Sequence, residues 1–528
     1  MPLKTFPPNA FNNVYSLSLT VSLAAILAFW LFPRNRNFPP SPGRALPFLG
    51  HLHIMPTKKT WLTLSQWSKE LGPIFHLNIA GQNIVVLGSH KLASDLLDRR
   101  SAIYSERPRN IVAGKLINGG MVFAFESHNA FWKRNRRAAQ EALTNAKRYH
   151  HIQEREAYIL CHQMLQKPDY WDDHLRRASS SLMLGIIYGL PPMLDSLDPN
   201  IRRANVYVQN TVAAAVPGAF LVEYLPWMMY LPRWMCAWRR YAEGLFARDS
   251  VFFEQLFSDV VVRVHKGTQI PSAASSFYEN KEKLGMTDRE AAWCATTLYG
   301  AGGDSTSGQM SWVLLSLVLY PDVQKKAQEE VDRVVGRDRM PTFKDLDPEQ
   351  MPYLNAFLRE IMRWRPIAPL SIPHRLKQDD YYEGYFLPKD TVVIPNAWAM
   401  NHDENVWGHD AEDFRPERHL NDDGKLKQAL PDTHEESHVT YGYGRRICVG
   451  RNVANNSLRI NTACVLWSFN LRPSTDDKGN FMLPDPHAYL DAGLAIRPEP
   501  FLFSLEPRQY DVITSIAHTV EASLGLTV

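Results

Sequence analysis

The chain has 528 residues, of which 45% are hydrophobic and 11% are aromatic, which is ample material for a large buried core. Its formal net charge of +3 is too small to indicate a nucleic acid as partner. The five cysteines are widely spaced and include no C-x-x-C pair, which argues against a disulfide framework or a structural zinc site and favours reduced thiols in the cytosol.

Residues 14–32 (VYSLSLTVSLAAILAFWLF) form an apolar run without a charge. As a helix this run spans about 28 Å, close to the ~30 Å hydrocarbon core of a bilayer. Arg34 and Arg36 follow it directly, whereas only Lys4 precedes it, so the positive-inside rule places the rest of the chain in the cytosol. We predict a single-pass signal anchor in the endoplasmic reticulum membrane. A cleaved signal peptide is the alternative, although its apolar region is usually shorter.

The next elements alternate between one strand pair and many helices. Residues 74–88 are typical of two strands around a tight turn, and helical patterns dominate from about 90 to 330. Residues 217–232 differ, because they are strongly apolar and contain three prolines, which a core helix seldom carries. We expect this segment, the apolar loop, to be exposed; a hydrophobic connection packed against the core is the alternative.

Further helices are predicted at 288–320 and 322–335, then around Glu360, and finally from about 449 to 469. The helix over 288–320 contains AGGDSTS at 301–307. A glycine in a helix interior costs roughly 1 kcal/mol relative to alanine. Two adjacent glycines therefore indicate that some group approaches the helix backbone closely at this point.

The segment 441–450 (YGYGRRICVG) places Cys448 behind a glycine-rich arginine loop and in front of a helix. Gly442 and Gly444 permit tight or positive-φ backbone close to a flat ligand. The start of the helix would point N–H groups at the sulfur and favour the thiolate, and Arg446 can pair with an acidic group of the same ligand. The pattern is typical of a lone thiolate presented to a metal; a buried structural cysteine is the alternative.

This segment resembles the haem-binding loop of the cytochrome P-450 superfamily, F-x-x-G-x-R-x-C-x-G. Tyr441 stands where phenylalanine is usual, which keeps an aromatic ring and adds a hydroxyl that needs a partner. The other motif positions match: Gly444, Arg446, Cys448 and Gly450. The resemblance covers residues 40–505. It implies a mainly α fold with small β-sheets, preceded by one N-terminal transmembrane helix, and haem b (iron protoporphyrin IX) with the Cys448 thiolate as axial ligand.

The resemblance also implies contacts to the haem propionates. Trp132 and Arg136 form W-x-x-x-R on one helical face, and both are implied to bind one propionate, the indole as donor and the guanidinium as counter-ion. His374 matches a position that often binds the other propionate, although the neighbouring Arg375 is an alternative.

A charge triad is implied as scaffolding. Glu360 and Arg363 lie three residues apart on one helical face and coincide with the family's E-x-x-R, and Arg418 in FRPERHL matches the third member. The resemblance implies that these three charges are buried together and act structurally, not catalytically.

The segment 301–307 resembles the family's oxygen-activating pattern A/G-G-x-D/E-T-T/S, which implies that Asp304 relays protons from solvent. Ser305 occupies the position of the usual threonine; it keeps the hydroxyl but lacks the methyl group that restricts its rotamer. We hypothesise that Ser305 supplies the catalytic hydroxyl, assisted by Thr306. The alternative is that these hydroxyls merely bond back to helix carbonyls.

Microsomal members of the family take electrons from NADPH-cytochrome P-450 reductase, whose docking surface is acidic. NADPH would therefore act through that partner, and membrane lipid is the second expected partner. A basic docking face is predicted next to the haem motifs, with an ordinary solvated face as the alternative. Its residues are Lys133, Arg134, Arg137, Arg445 and Arg451.

By family analogy, substrate contacts are expected at 112–121, Leu298, 370–372 and 492–494. These segments are mainly apolar, which favours a neutral lipophilic substrate that arrives through the membrane. The stretch around residues 363–391 resembles fungal members of secondary metabolism, so a terpenoid is favoured, with a polyketide or an aromatic or indole alkaloid as alternatives.

The expected organisation has five segments: an N-terminal segment (1–13), the anchor (14–32), a proline-rich linker (33–48), the haem-thiolate monooxygenase domain (49–507) and a C-terminal tail without an assigned role (508–528). Two other function classes compete with the membrane-anchored monooxygenase. One is a reductase-independent isomerase or dehydratase of the same fold, against which the Asp304–Ser305 pair argues. The other is a non-catalytic haem sensor or carrier.

Overall fold

The structure, a computed structural model, describes residues 37–526 of the chain. The predicted N-terminal segment (1–13) and membrane anchor (14–32) lie outside the described residues, as does the start of the linker (33–48). Within the described part, no helix is both long enough and apolar enough to cross a bilayer.

Long helices make up most of the described chain, which confirms the mainly α class. They are α1 (Thr60–Leu71), α2 (Ala130–Thr144), α3 (His150–Gln166), α4 (Trp171–Tyr188), α5 (Pro199–Ala215), α6 (Ala237–His265), α7 (Ala273–Leu284), α8 (Asp288–Leu319), α9 (Pro321–Val335), α10 (Pro352–Trp364), α11 (Arg451–Ser468) and α12 (Tyr510–Leu524). Shorter helical segments between them include His90–Ala93, Ser94–Arg99, Ser101–Tyr104, Ile111–Ile117, Ala397–Asn401 and Glu404–Trp407.

Four small sheets flank the helices. Their strands are β1 (Ile74–Ile79), β2 (Gln82–Leu87), β3 (His374–Arg375), β4 (Asp380–Tyr382), β5 (Tyr385–Leu387), β6 (Val392–Pro395), β7 (Phe469–Thr475), β8 (Phe481–Met482), β9 (Tyr489–Asp491), β10 (Ile496–Pro498) and β11 (Phe503–Pro507). The largest sheet has the order β1-β2-β6-β3, with β2 and β6 parallel. The predicted strand pair is confirmed, since β1 and β2 are antiparallel with Ile79 opposite Gln82.

Helix α8 is the centre of the fold. A capping box starts it, in which Thr287 and Glu290 each accept the other's backbone N–H. Its N-terminal half (291–299) belongs to one large hydrophobic cluster and its C-terminal half (310–318) to another. The segment 301–307 therefore lies at the junction of the two clusters, where a helix can face an open space without weakening either core.

The apolar loop joins α5 to α6 and is exposed along its outer face, as predicted. It forms short 3-10 turns rather than a helix, because its prolines interrupt the backbone hydrogen-bond ladder. Tyr230 is 91% exposed and Trp227 is 57% exposed, and Trp234 just beyond the loop is 75% exposed. Val222 points the other way and is buried. The loop therefore has one apolar face towards solvent and one towards the protein.

The C-terminal segment, to which the sequence assigned no role, is part of the core. Helix α12 packs on α3, and its buried residues Val512, Ile516 and Val520 join the same hydrophobic cluster as the C-terminal half of α8. Arg508 precedes the helix and binds both carboxylate oxygens of Asp332 at 2.9 and 2.6 Å. The segment thus stabilises the domain from the side of α3 and α9.

The predicted charge triad is assembled and fully buried. Arg363 donates to Glu360 from Nε and Nη2 at 2.8 Å, and Arg418 Nε donates to the same carboxylate at 2.8 Å. The ring of His419 adds a further contact, with Nε2 2.9 Å from Glu360 Oε2. Burial alone would raise the pKa of Glu360, but these cationic partners, Arg363 foremost, hold it well below its usual range.

Replacing Glu360 by glutamine should destabilise the protein by about 3–5 kcal/mol, because two buried guanidinium groups lose their counter-charge. Urea unfolding followed by tryptophan fluorescence measures the change. Glu404→Gln is the matched control, since it breaks an exposed pair with Lys69 and should cost under about 1 kcal/mol. Equal unfolding midpoints for the two variants would contradict the structural role of the triad.

Candidate active site

Cys448 is exposed, whereas the other four cysteines of the chain are buried. Its backbone N–H donates to the Tyr441 carbonyl at 2.9 Å, which closes the loop behind it. The protein around the thiol, in the cleft onto which it opens, partly desolvates it and so raises the pKa of Cys448. Backbone N–H groups of Gly450 and Arg451 oppose the rise, as the predicted position at a helix start requires. The helix itself begins at Arg451, two residues later than predicted.

The glycines of this loop have positive φ angles as predicted, 74° at Gly442 and 60° at Gly444. The neighbour that requires Gly444, however, is protein. A Cβ there would lie 2.0 Å from the Leu97 carbonyl oxygen, and its N–H donates to Asp98 in the Ser94–Arg99 helix. Gly444 therefore fixes the cysteine loop to that helix.

The hydroxyl that distinguishes Tyr441 from the family's phenylalanine has a hydrogen-bond partner within the protein. It donates to Asn455 Oδ1 at 2.6 Å, and Asn455 Nδ2 donates to Glu436 at 3.0 Å. Burial, with the nearby charges of Glu436 and Cys448, holds the pKa of Tyr441 well above its usual range. The hydroxyl therefore stays protonated. It links the start of the cysteine loop to Asn455 on α11 and, through Asn455, to Glu436.

Arg446 and Trp132 lie against each other beside the loop, with the guanidinium 4.3 Å from the indole ring centroid. Arg446 donates from Nε to the Ser105 carbonyl and from Nη2 to the Glu126 carbonyl. Its Nη1 is buried and meets no hydrogen-bond partner within residues 37–526. Burial lowers the pKa of Arg446 to about 10. Such a group calls for an anion that the described protein does not provide.

Two further arginines share this cleft. Arg136, predicted from its motif, donates to the Ile447 carbonyl next to Cys448. The sequence did not indicate a role for Arg107, because this residue belongs to none of the motifs described above. Burial and then the charges of Arg446 and Arg136 hold the pKa of Arg107 well below its usual range. The three guanidinium groups therefore repel one another at the same place.

His374 lies at the edge of this cluster, with Nδ1 2.7 Å from the Tyr104 carbonyl, so Nδ1 carries the proton. Burial and then the Arg107 charge hold its pKa well below its usual range. Nε2 can donate to a propionate only in the imidazolium form, which an adjacent anion favours. The alternative residue, Arg375, is paired with Asp390.

These residues fit haem. An exposed thiol with two N–H groups directed at it suits iron, and a cluster of desolvated guanidinium groups, one with an unpaired Nη1, suits two carboxylates on a flat ligand. The residues that would hold the group are Cys448 at the iron and, around the propionates, Trp132, Arg136, Arg107, Arg446 and His374.

On α8, the first residue of the glycine pair lies against the neighbouring helix. A Cβ at Gly302 would lie 2.5 Å from the Met183 side chain of α4, which would have to shift, whereas a Cβ at Gly303 would meet only ordinary contacts. Ala301 is exposed, and Ser305 one turn later donates its hydroxyl to the Ala301 carbonyl at 2.7 Å. For Ser305 the structure therefore shows the alternative predicted from the sequence, a hydroxyl that bonds to a carbonyl of its own helix. This stretch of α8 presents a short side chain and a hydroxyl to an open space.

Asp304 belongs to a four-membered ionic cluster that no sequence pattern indicated. Its Oδ1 lies 3.2 Å from Arg176 Nη1 and 3.8 Å from Arg497 Nη1. Both arginines also contact Asp172, which Arg176 Nε reaches at 2.9 Å. The Asp304 side chain is 44% exposed. It is therefore a solvent-accessible carboxylate anchored between two guanidinium groups.

Thr306 does not join this cluster and instead lines a small cavity between α3, α4, α8 and α11. Of the predicted docking residues, Lys133, Arg137 and Arg445 are exposed. Arg134 is committed to Glu290 at 2.7 Å. Arg137 is also paired, with Glu141 at 2.9 Å, and Arg451 is half-buried, so a docking role for these residues stays a prediction.

The family model for cytochrome P-450 matches residues 39–504. The chain belongs to this family. A cytochrome P-450 monooxygenase of Armillaria gallica is 44% identical over 94% of this P-450 and 95% of its own length. Cytochrome P-450 monooxygenase 58 of Postia placenta is 42% identical over 95% and 94%. A zebra fish cytochrome P-450 solved with abiraterone, 24% identical, superposes with a TM-score of 0.68 over 85% of this chain and 100% of that one, which shows the fold. Since its relatives are monooxygenases, this P-450 is an oxidoreductase that incorporates oxygen.

Replacing Arg107 or Arg446 by leucine should increase the rate of haem loss at least about tenfold, since each removes a charge-assisted bond to a carboxylate. Pyridine haemochrome assay and haem transfer to apomyoglobin measure the loss. Arg445→Leu removes an exposed charge from the same loop as the control. Full haem retention in both cluster variants would contradict the assignment.

Proposed function

We propose that this P-450 is a membrane-anchored monooxygenase that takes electrons from NADPH-cytochrome P-450 reductase and inserts one oxygen atom of O₂ into a neutral lipophilic substrate. A fungal secondary metabolite is the proposed substrate class, with a terpenoid favoured over a polyketide or an aromatic or indole compound. The observation that carries the reaction class is the exposed Cys448 thiol beside desolvated, mutually repelling arginines. When bound, haem with a thiolate ligand supplies oxygen activation and cleavage of the O–O bond.

The chain's own residues supply protons and exclude water. Asp304 is open to solvent and takes up a proton at Oδ2, while Arg176 and Arg497 hold the carboxylate in place through Oδ1. Ser305 then exchanges its bond to the Ala301 carbonyl for one into the cleft, passes a proton from Oγ and takes back the proton of Asp304 through solvent. A serine rotates more freely than a threonine, so this step depends on the rotamer equilibrium at residue 305.

Two features support a membrane setting: the apolar run with its flanking charges near the N-terminus, and the exposed apolar loop. Residues 14–32 have the length and flanking charges of a signal anchor, which supports a catalytic domain on the cytosolic side of the endoplasmic reticulum. The exposed aromatic residues of the apolar loop favour contact with the same bilayer. Relatives of this P-450 come from fungi such as Armillaria gallica and Postia placenta, which supports a fungal source for the proposed substrate.

Asp304→Asn should lower product formation about 10²-fold and increase the solvent isotope effect, because a general acid contributes roughly 10²–10⁴-fold. Ser305→Ala should divert electrons to hydrogen peroxide, whereas Ser305→Thr should improve coupling, since the added methyl restricts the rotamer. Thr306→Ala is the comparison, and it should change coupling less than Ser305→Ala does. Product formed per NADPH consumed gives the result. Unchanged coupling in both alanine variants would rule out a catalytic hydroxyl at these positions.

The function itself is tested with the full chain in microsomes. We expect the protein to remain in the membrane pellet after carbonate extraction and to form product only with NADPH and added reductase. Titration with a panel of neutral terpenoids and polyketides should shift the haem from low to high spin for one class, because substrate displaces water from the iron. Product formed without reductase would favour the isomerase or dehydratase class. A normal carbon monoxide spectrum with no spin shift from terpenoids would overturn the terpenoid proposal alone.

A further inference from the structure

Arg365 follows the last residue of α10 and is 1% exposed, yet it forms no ion pair with any carboxylate of residues 37–526. Its guanidinium group binds carbonyls instead: Nη1 donates to Trp364 at 2.9 Å and Nη2 to Pro486 at 3.1 Å. Nε is buried and meets no acceptor in the same part of the chain. Burial lowers the pKa of Arg365 to about 10, so the side chain remains a cation at neutral pH. A buried cation without a contacting counter-charge needs another source of stabilisation.

Aromatic rings, which we call the arginine cage, surround this guanidinium group. Its carbon lies 3.7 Å from the ring centroid of Trp364, 5.3 Å from that of Trp398 and 5.7 Å from those of Trp312 and Tyr489. The faces of aromatic rings are electron-rich and attract a desolvated cation. The rings come from α10, the Ala397–Asn401 helix, α8 and β9, so one side chain is the common contact of four elements.

The rings of the cage also pack on one another, which limits how each can turn. Tyr489 meets Trp398 edge-on, with an interplanar angle of 90°, and its ring centroid lies 5.8 Å from those of both Trp398 and Trp312. Trp61 of α1 packs on Tyr489 from a further side at 5.7 Å. The orientation of this β9 residue is therefore specified by its neighbours in the cage.

The β9–β10 hairpin is held differently along its two strands. β10 is bound through its backbone and through charge. The Ile496 N–H donates to the Ile367 carbonyl at 2.8 Å, and Trp312 Nε1 donates to the Ile496 carbonyl at 3.4 Å. Arg497 contacts Asp172. None of these bonds is made by the Arg365 side chain, so β10 keeps its place independently of the cage.

β9 depends on side-chain contacts. On its inner side, Tyr489 lies in the cage and the Pro486 carbonyl, just before the strand, accepts from Arg365. On its outer side, Lys59 makes two bonds at 3.1 and 3.3 Å, and both are exposed. Water competes for exposed bonds, so they hold a strand weakly. The position of β9 therefore depends mainly on the cage.

We propose that Arg365 is a positioning residue that sets the place of β9, and with it how far the 492–494 turn reaches into the cleft, so that it helps to determine which substrates fit. This inference rests on the proposed function only in regarding the cleft as the substrate site, with the turn as one of its walls. The desolvation of a buried charge offsets much of what its contacts contribute, so such a group specifies an arrangement more than it adds stability. Its loss should therefore act locally, on β9.

The first test compares local opening with global stability in the haem-loaded full chain. Arg365→Met removes the charge and both donors but fills the cage with a flexible apolar side chain. Exchange of the Glu499 amide, which donates across the hairpin to the Ala488 carbonyl at 3.0 Å, should rise at least about tenfold. Exchange of the Ile496 amide should rise less than about threefold, because its bond to Ile367 remains. The urea midpoint should stay the same or rise.

The binding of two haem ligands of different size gives the second readout. Imidazole is too small to extend from the iron to the turn, whereas clotrimazole is bulky. Arg365→Met should weaken clotrimazole binding at least about fivefold, since binding must then order the turn, and change imidazole binding less than about twofold. Arg365→Lys keeps the cation but not the planar fork that reaches two carbonyls, so it should restore part of both effects. Neither readout needs turnover, so product formed without reductase would contradict the proposed function and leave this test valid.

Arg359→Met is the matched control. Arg359 lies on the same helix and also donates to two carbonyls, those of Lys427 and Glu435, but no aromatic ring surrounds it in the described part of the chain. Its loss should leave exchange at Glu499 unchanged.

Unchanged exchange at Glu499 in Arg365→Met would overturn the proposal. Failure of this variant to fold, or a lower urea midpoint with equal increases at Glu499 and Ile496, would also overturn it, because Arg365 would then be a general structural residue. Unchanged affinity for clotrimazole would rule out its part in substrate choice.

Discussion

The arrangement of the domain depends on one buried carboxylate. Glu360 accepts hydrogen bonds from Arg363, Arg418 and the Arg415 backbone N–H. A buried carboxylate with fewer partners would be strongly destabilising, so α10 and the chain around residues 410–419 cannot move independently. Their common position is set by electrostatics in a low dielectric and not by apolar packing alone.

This constraint extends to the cysteine loop. Arg363 donates from Nη1 to the Asn401 carbonyl, and Asn401 Oδ1 accepts the Val439 N–H at 3.2 Å. The Thr440 hydroxyl donates to the Met362 carbonyl on α10 at 2.7 Å. Residues 439 and 440 lead directly into the loop that carries Cys448. The thiolate is thus positioned from a charge cluster far from it in sequence, through a continuous path of hydrogen bonds.

The cleft beside Cys448 differs from the charge triad, because its positive charges have no matching negative charges within the described protein. In the triad, positive and negative groups are matched within the protein. In the cleft, Arg107, Arg136 and Arg446 are desolvated and repel one another. The protein alone therefore holds unfavourable electrostatic energy at this site, and a ligand with carboxylates relieves it. Affinity for such a ligand comes in part from this arrangement, which is a form of preorganisation.

The sequence predicted the residues that lie within short motifs, since ten consecutive residues already place Cys448, Gly444 and Arg446 together. It did not predict Arg107, whose guanidinium is held by the carbonyls of Ile372 and Pro373, more than 260 residues away. Contacts of that separation leave no local pattern. The helical class and the strand pair followed from periodicity.

Other features that the sequence did not predict also depend on contacts between residues that are far apart in the chain. The glycine pair of α8 indicated that some group approaches the helix closely, but only the fold identifies the Met183 side chain as the group beside Gly302. The ionic partners of Asp304 come from α4 and β10, and only the fold brings them together. Likewise, the burial of α12 depends on a face of α3 that its own sequence does not reveal.

The Tyr441 hydroxyl has a consequence for how such loops diverge. Its bond to Asn455, and the bond from Asn455 to Glu436, join three positions that a phenylalanine at 441 would leave independent. Losing the hydroxyl alone leaves a partly buried amide oxygen without its donor, and losing the amide alone leaves a partly buried hydroxyl without its acceptor. Positions 441 and 455 should therefore co-vary among relatives, with a tyrosine accompanied by a polar residue and a phenylalanine by an apolar one.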